Sequence, residues 1–129
     1  MPNLPRPEKK AYKTTSRDDR KPTNQAFYNS LKWRKASMYH RSQNPLCEVS
    51  EAAGLVVPGE VCDHIIPINV GGARFDSRNF MTLSKAIHDI KSGLESHNSP
   101  LIAWDYNDYG DKVPQDRQMI IDILIKKVQ

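Results

Sequence analysis

VCDHIIPINVGG, residues 61–72, is an apolar run closed by two glycines, yet it carries the adjacent polar pair Asp63-His64. Val61–Ile68 reads as a strand, and Pro67 with Gly71-Gly72 marks where regular pairing stops. Burying a carboxylate and an imidazole costs free energy unless they are paired or put to use. The segment therefore bears on the fold and on any chemistry together. Neighbouring side chains of a strand point to opposite faces, so Asp63 and His64 are expected to share a site only where the strand is twisted, bulged or ending.

Upstream, LCEVSEAAGLVVPGEV is punctuated by Gly54 and Pro58-Gly59, and Leu55–Val57 is the second strand candidate. Pairing it with Val61–Ile68 predicts a β-hairpin. Downstream, GGARFDSRN reads as a polar loop ending at Asn79. In FMTLSKAIHDIKSGLE, residues Leu83, Ile87, Ile90 and Leu94 recur at i, i+4, i+7 and i+11, which predicts an amphipathic helix closing near Gly93. His88 falls at the edge of that stripe, with Lys91 and Glu95 following at i+3 and i+7. A helix folded back over the hairpin makes a ββα unit, about residues 55–95, that brings His88 toward Asp63-His64. Carboxylate and imidazole suit a divalent cation with positions left for water and phosphate. Taken singly each residue has an ordinary structural use; the ordered set Asp63-His64, Asn79, His88 is what stands out.

From about Asn24, NQAFYNSLKWRKASMYHRSQNP places Phe27, Leu31 and Met38 near one helical face, stopping before Asn44-Pro45, with Lys32, Arg34, Lys35 and Arg41 on the remaining surface. Residues 1–23 are rich in Pro, Lys and Arg with one aromatic, Tyr12; they bury too little to offset ordering entropy and predict a flexible basic arm. Beyond the ββα unit, SHNSPLIAWDYNDYGDKVP reads as an aromatic-bearing loop. After Pro114 a last helix carries Ile120, Ile121, Leu124, Ile125 and Val128 as a broad apolar face. Asp105, Asp108 and Asp111 lack the Gly and closing Glu of an EF-hand loop and read as solvated. The expectation is an α+β fold, with one domain over residues 24–129 behind the arm and residues 96–129 as an extension.

The net charge of +4 conceals a split: residues 1–45 hold 11 Lys/Arg against 3 Asp/Glu, leaving 8 against 12 for residues 46–129. A basic front third is an electrostatic footprint for a polyanion. Two cysteines, Cys47 and Cys62, are too few for a disulfide scaffold. No apolar run approaches the roughly 20 residues of a membrane span, and the first residues lack a signal peptide's apolar centre. A soluble, intracellular protein with no membrane partner is expected.

FYNSLKWRK, NPLCE, VCDHIIPINVGG, FDSRNF and LSKAIHDIK together resemble the HNH endonuclease family, in particular the small phage and prophage type that accompanies DNA-packaging genes. The likeness spans about residues 27–95. It implies a ββα-metal (His-Me finger) core with an N-terminal basic helix and a C-terminal helix. It also implies a nuclease, a hydrolase of DNA phosphodiesters, that nicks or cleaves double-stranded DNA and leaves 5′-phosphate and 3′-hydroxyl ends. On the resemblance, Asp63 and His88 bind one divalent metal ion, Mg²⁺ or Mn²⁺ ahead of Ni²⁺ or Zn²⁺. His64 is the general base, and Asn79 fixes the loop that orients His64. Lys32, Arg34, Lys35, Arg74, Arg78, Lys85 and Lys91 are the DNA-binding candidates, with Arg78 and Lys91 foremost because they adjoin the motif. Terminase subunits are the implied protein partners, and the cytoplasm of a bacterial or phage-infected cell the implied location. Oligomeric state stays open.

Many relatives carry two CxxC pairs around a structural zinc, whereas here they read Cys47-Glu-Val-Ser50 and Ser84-Lys-Ala-Ile87. No structural zinc is expected, Cys47 becomes a small buried hydrophobe, and Leu101, Trp104 and the last helix are expected to brace the unit instead. Two rival readings keep the scaffold without the cutting: a DNA-binding protein that has lost activity with the zinc, and a packaging accessory acting on a terminase subunit.

Overall fold

The computed structural model describes residues 24–128, so the basic arm expected over residues 1–23 lies outside the described residues. The fold is α+β. A hairpin of β1 (Val61–His64) and β2 (Phe80–Leu83) is followed by helix α4 (Lys85–Glu95), with α1 (Gln25–Asn29), α2 (Leu31–Gln43) and α3 (Glu48–Ala52) before it. A second hairpin, β3 (Trp104–Tyr106) and β4 (Lys112–Pro114), and helix α5 (Arg117–Val128) come after it. Among the described residues no helix is long and apolar enough to cross a membrane.

The ββα unit forms, but with a different partner strand. Val61 pairs with Leu83, Cys62 with Thr82, Asp63 with Met81 and His64 with Phe80, all antiparallel and without a bulge. Leu55–Val57 makes no strand; Phe80–Leu83, which the pattern assigns to the start of the helix, is the strand instead. All four of its residues are buried. With both faces covered it lacks the polar alternation that marks a strand. Ser84, in extended conformation, then caps α4 by accepting a hydrogen bond from the Ile87 N–H. α4 ends at Glu95, two residues past Gly93 and so near the end expected.

The single N-terminal helix expected from Asn24 is two. Ser30 is extended (φ −66°, ψ 148°), and its hydroxyl caps α2 through the Trp33 N–H. The break voids the phase of the Phe27-Leu31-Met38 stripe: Leu31 and Met38 are exposed, and Trp33 is the buried residue of α2.

The core gathers Cys47, Val49, Ile65, Met81, Leu83, Ile87, Ile102, Ile120, Ile121 and Leu124. Cys47, fully buried, has Ser50 and Ser84 against its sulfur; burial alone would raise its thiol pKa, and hydrogen bonds from these two serines outweigh it and lower it. Ile87, at the fourth cysteine position of the family pattern, is buried in the core that α5 completes. The segment expected as a loop, SHNSPLIAWDYNDYGDKVP, contains the β3–β4 hairpin, turned at Asn107–Gly110. That hairpin clasps the β1–β2 connection: Lys112 N–H donates to Gly71 O, Ala73 N–H to Lys112 O, and Lys112 Nζ to Val70 O. Gly72 is obligatory here, since a Cβ would lie 1.8 Å from Ile66 O.

Candidate active site

β1 ends at His64 with regular pairing, and no distortion brings Asp63 and His64 to one face. They meet at the strand's free edge instead. A cleft of about 420 Å³ opens there, lined by Gln25 and Tyr28 of α1, Cys62, Asp63 and His64 of β1, and His88, Ser92 and Glu95 of α4. Asp63 contributes from the side covered by α4, and His64 from the side covered by α1 and α2. The edge substitutes for the bulge anticipated from strand alternation.

His64 is 2 % exposed. Its ring stacks on Trp33 (centroids 4.4 Å, 26°) and meets Phe80 edge-on at 5.6 Å. Nε2 lies 3.0 Å from Arg74 O, an acceptor only, so Nε2 carries the proton and Nδ1 keeps its lone pair. Nδ1 faces the Tyr28 hydroxyl at 3.2 Å. Burial, then the charges of Asp63 and Glu95, push the Tyr28 phenol up to about 12, so it donates. Burial likewise lowers the His64 pKa, outweighing the Arg74 carbonyl and Asp63, which keeps the imidazole neutral at pH 7.

Asn79, fully buried, accepts from the Ile66 N–H (2.8 Å) and donates to Ile66 O (3.0 Å) and Ala73 O (2.9 Å). The Ile65 N–H also reaches Asn79 O. One side chain therefore closes the loop that carries Arg74, the residue whose carbonyl holds His64.

Asp63 Oδ1 and His88 Nε2 are 3.5 Å apart at the cleft. That is long for a hydrogen bond, and about half an ångström beyond the roughly 3 Å between adjacent donors on an octahedral cation at about 2.1 Å, a gap that a small side-chain movement closes. His88 Nδ1 is buried without a hydrogen-bond partner. Asp63 Oδ2 ion-pairs with Lys91 Nζ at 2.7 Å, a charge contact not aligned as a hydrogen bond. Lys91 Nζ also donates to Glu95 Oε2 and to His64 O (3.0 Å). Burial raises the Glu95 pKa against the pull of Lys91. Burial and the Asp63 charge push the Cys62 thiol up to about 12. Among the described residues no group of three or more His, Cys, Asp or Glu side chains is arranged to hold a metal. The donor set is thus a carboxylate and an imidazole, which fits an oxygen-preferring cation completed by water or phosphate.

The basic candidates divide into three groups. Lys32, Arg34, Lys35 and Arg74 are exposed, with Lys32 over the Phe75 ring and Arg74 over Phe27 beside the His64 cluster. Arg78 and Lys85 are exposed but paired with Asp76 and Asp89. Lys91 is 1 % exposed and surrounded by acceptors, which corrects its reading as a DNA contact: its ammonium has no path to a phosphate. Sequence reasoning missed Tyr28 and Trp33 as the wall around His64. A larger hollow between residues 68–77 and the β3–β4 turn carries Asp76 and Asp111 but no histidine, and stands apart from this chemistry.

No protein-family model and no curated protein matches the chain. Among solved structures, the manganese-bound HNH endonuclease of the deep-sea thermophilic bacteriophage GVE2 superposes with a TM-score of 0.52 and 26% identity, over 57% of this chain and 82% of that one. The chain is therefore similar in its α+β fold to a phage HNH endonuclease.

Proposed function

We propose that the protein is a metal-dependent endonuclease that hydrolyses phosphodiesters of double-stranded DNA. The observation that carries this is the pairing of two half-sites in one cleft: the Asp63 Oδ1–His88 Nε2 donor pair and the neutral His64 with its Nδ1 lone pair facing in. Once the Tyr28 hydroxyl gives up Nδ1 to a water, His64 Nδ1 takes a proton from that water as its oxygen attacks phosphorus; the P–O3′ bond breaks, leaving 5′-phosphate and, after protonation, 3′-hydroxyl. Arg74 O holds the ring through Nε2, and Asn79 holds the loop that carries Arg74. Asp63 and His88 would hold the divalent cation, which supplies charge stabilisation for the phosphoryl oxygens and the leaving oxygen. Charge supports its presence: Asp63 and Glu95 against Lys91 leave the cleft with one excess negative charge, which repels a phosphate until a cation intervenes. Manganese in the similar phage enzyme supports a divalent ion of this kind. Lys32, Arg34, Lys35 and Arg74 would carry the duplex, each neutralised phosphate adding salt-sensitive affinity.

Supercoiled plasmid incubated with Mg²⁺, Mn²⁺, Ni²⁺ or Zn²⁺ tests the reading. Wild type should nick, while His64→Ala and His88→Ala should each lose about 100-fold or more in rate. Equal cleavage by wild type and His64→Ala under every metal sinks the nuclease reading and favours a scaffold that binds without cutting.

A further inference from the structure

Lys91 is the least expected side chain of the cleft. Its ammonium is 1 % exposed, yet the side chains it meets, Asp63 and Glu95, are 14 % and 16 % exposed at the cleft's rim. Burying an ammonium is tolerated only where charge and hydrogen bonds answer it, and here three oxygens do: Asp63 Oδ2 as a charge contact, and Glu95 Oε2 and His64 O as hydrogen-bond acceptors. Two of them belong to the end of β1, one to a metal-ligand candidate and one to the backbone of the base. Lys91 stands three residues beyond His88 on α4, so one helix face supplies an imidazole donor and the group that engages the facing carboxylate.

We propose that Lys91 is a positioning residue: it claims Asp63 Oδ2, Glu95 and the His64 carbonyl together, so that Asp63 presents the cation with Oδ1 alone and Glu95 presents nothing. The inference rests on the nuclease reading above. It follows from charge and reach. Without the ammonium, Asp63 would be free to turn both oxygens toward the ion. Glu95, in the same cleft, would be released as a competing ligand. The ion would then be held more tightly but in the wrong place, and the end of β1 that carries His64 would lose its tie to α4.

Mn²⁺ binding, read from the electron paramagnetic resonance signal of the free ion, separates this from a merely structural role. Wild type, Lys91→Met, Glu95→Gln and the Lys91→Met/Glu95→Gln double variant are compared, with plasmid nicking at saturating Mn²⁺ alongside. Lys91→Met is expected to bind Mn²⁺ about fivefold more tightly or better, because a positive charge beside the ligand is gone. Its nicking should fall roughly tenfold or more. The double variant should return to within about twofold of the wild-type affinity without recovering nicking, since the released carboxylate is gone but Asp63 is still unheld. Lys91→Met that binds and nicks as wild type does, or that binds more weakly, overturns the proposal. Should Lys91→Met fail to fold, Glu95→Gln alone decides: a loss of Mn²⁺ affinity within about fivefold, the share of one removed charge, supports it, and a larger loss makes Glu95 a ligand and overturns it. Wild type that binds Mn²⁺ but never nicks removes the nuclease reading while the affinities still judge Lys91. Wild type that binds no Mn²⁺ removes both.

Discussion

At the scale of single residues, Asn79 shows how much of the site is main-chain architecture. Its amide serves the Ile66 N–H, Ile66 O and Ala73 O at once in a fully buried setting. Asn79→Ala would strand all three groups away from water, at a cost of about 2–3 kcal/mol. Urea unfolding should show a midpoint lowered accordingly, and a change under about 0.5 kcal/mol would mean the loop is held by something else. Asn79 could be singled out in the sequence because it falls in order with Asp63, His64 and His88. Its partners could not, because hydrogen bonds to a backbone leave no mark on side-chain identity. Lys91 misled for a related reason: a lysine reads as a surface cation, and only the fold shows the acceptors that enclose it.

Elements were legible where their faces differ and obscure where they do not. α4 and α5 each bury one side and show it in their periodicity. β2 is covered on both sides, and continues into a serine-capped helix, so its apolar residues read as the helix's first turn. Ser30 looked like one polar residue among many, whereas its extended backbone splits α1 from α2 and turns Trp33 inward onto His64. That rotation leaves Lys32, Arg34 and Lys35 exposed. If α2 carries DNA, replacing all three by Ala should flatten the slope of log Kobs against log[salt] by about 0.9 for each phosphate that is no longer neutralised. Filter binding or anisotropy across a salt series reads the slope. An unchanged slope would take the duplex off this helix, and unfolding midpoints should stay nearly those of wild type because the three charges are solvated.

Across the whole molecule, Glu48 is the junction. Its carboxylate takes His40 Nε2 from α2 (3.1 Å), the Thr82 N–H of β2 (2.7 Å) and the Arg117 guanidinium of α5. Burial alone would raise its pKa, but His40, the Thr82 N–H and Arg117 outweigh that and hold it below the usual carboxylate range. A depressed folded pKa stabilises above the unfolded value of about 4.3 and ceases to as pH falls through the folded value. Glu48→Gln should therefore cost roughly 1–3 kcal/mol at pH 7, the Arg117 share discounted for its exposure. The cost should shrink toward pH 3; denaturant melts at both pH values check this, and a pH-independent difference would remove Glu48 as an acid-sensitive joint. The apolar face of α5 was legible and lies in the core through Ile120, Ile121 and Leu124, while the β3–β4 clasp on Gly71–Ala73 went unseen because its bonds too are main chain to main chain. The free edge of β1 has one more consequence. Among the described residues β1 pairs only with β2, and an open strand edge is a template for another chain's strand. Asp63 lies along that edge and Lys91 covers the His64 carbonyl at its end. Charge along an open edge discourages pairing with another chain, so Asp63 bears on self-association as well as on the cleft.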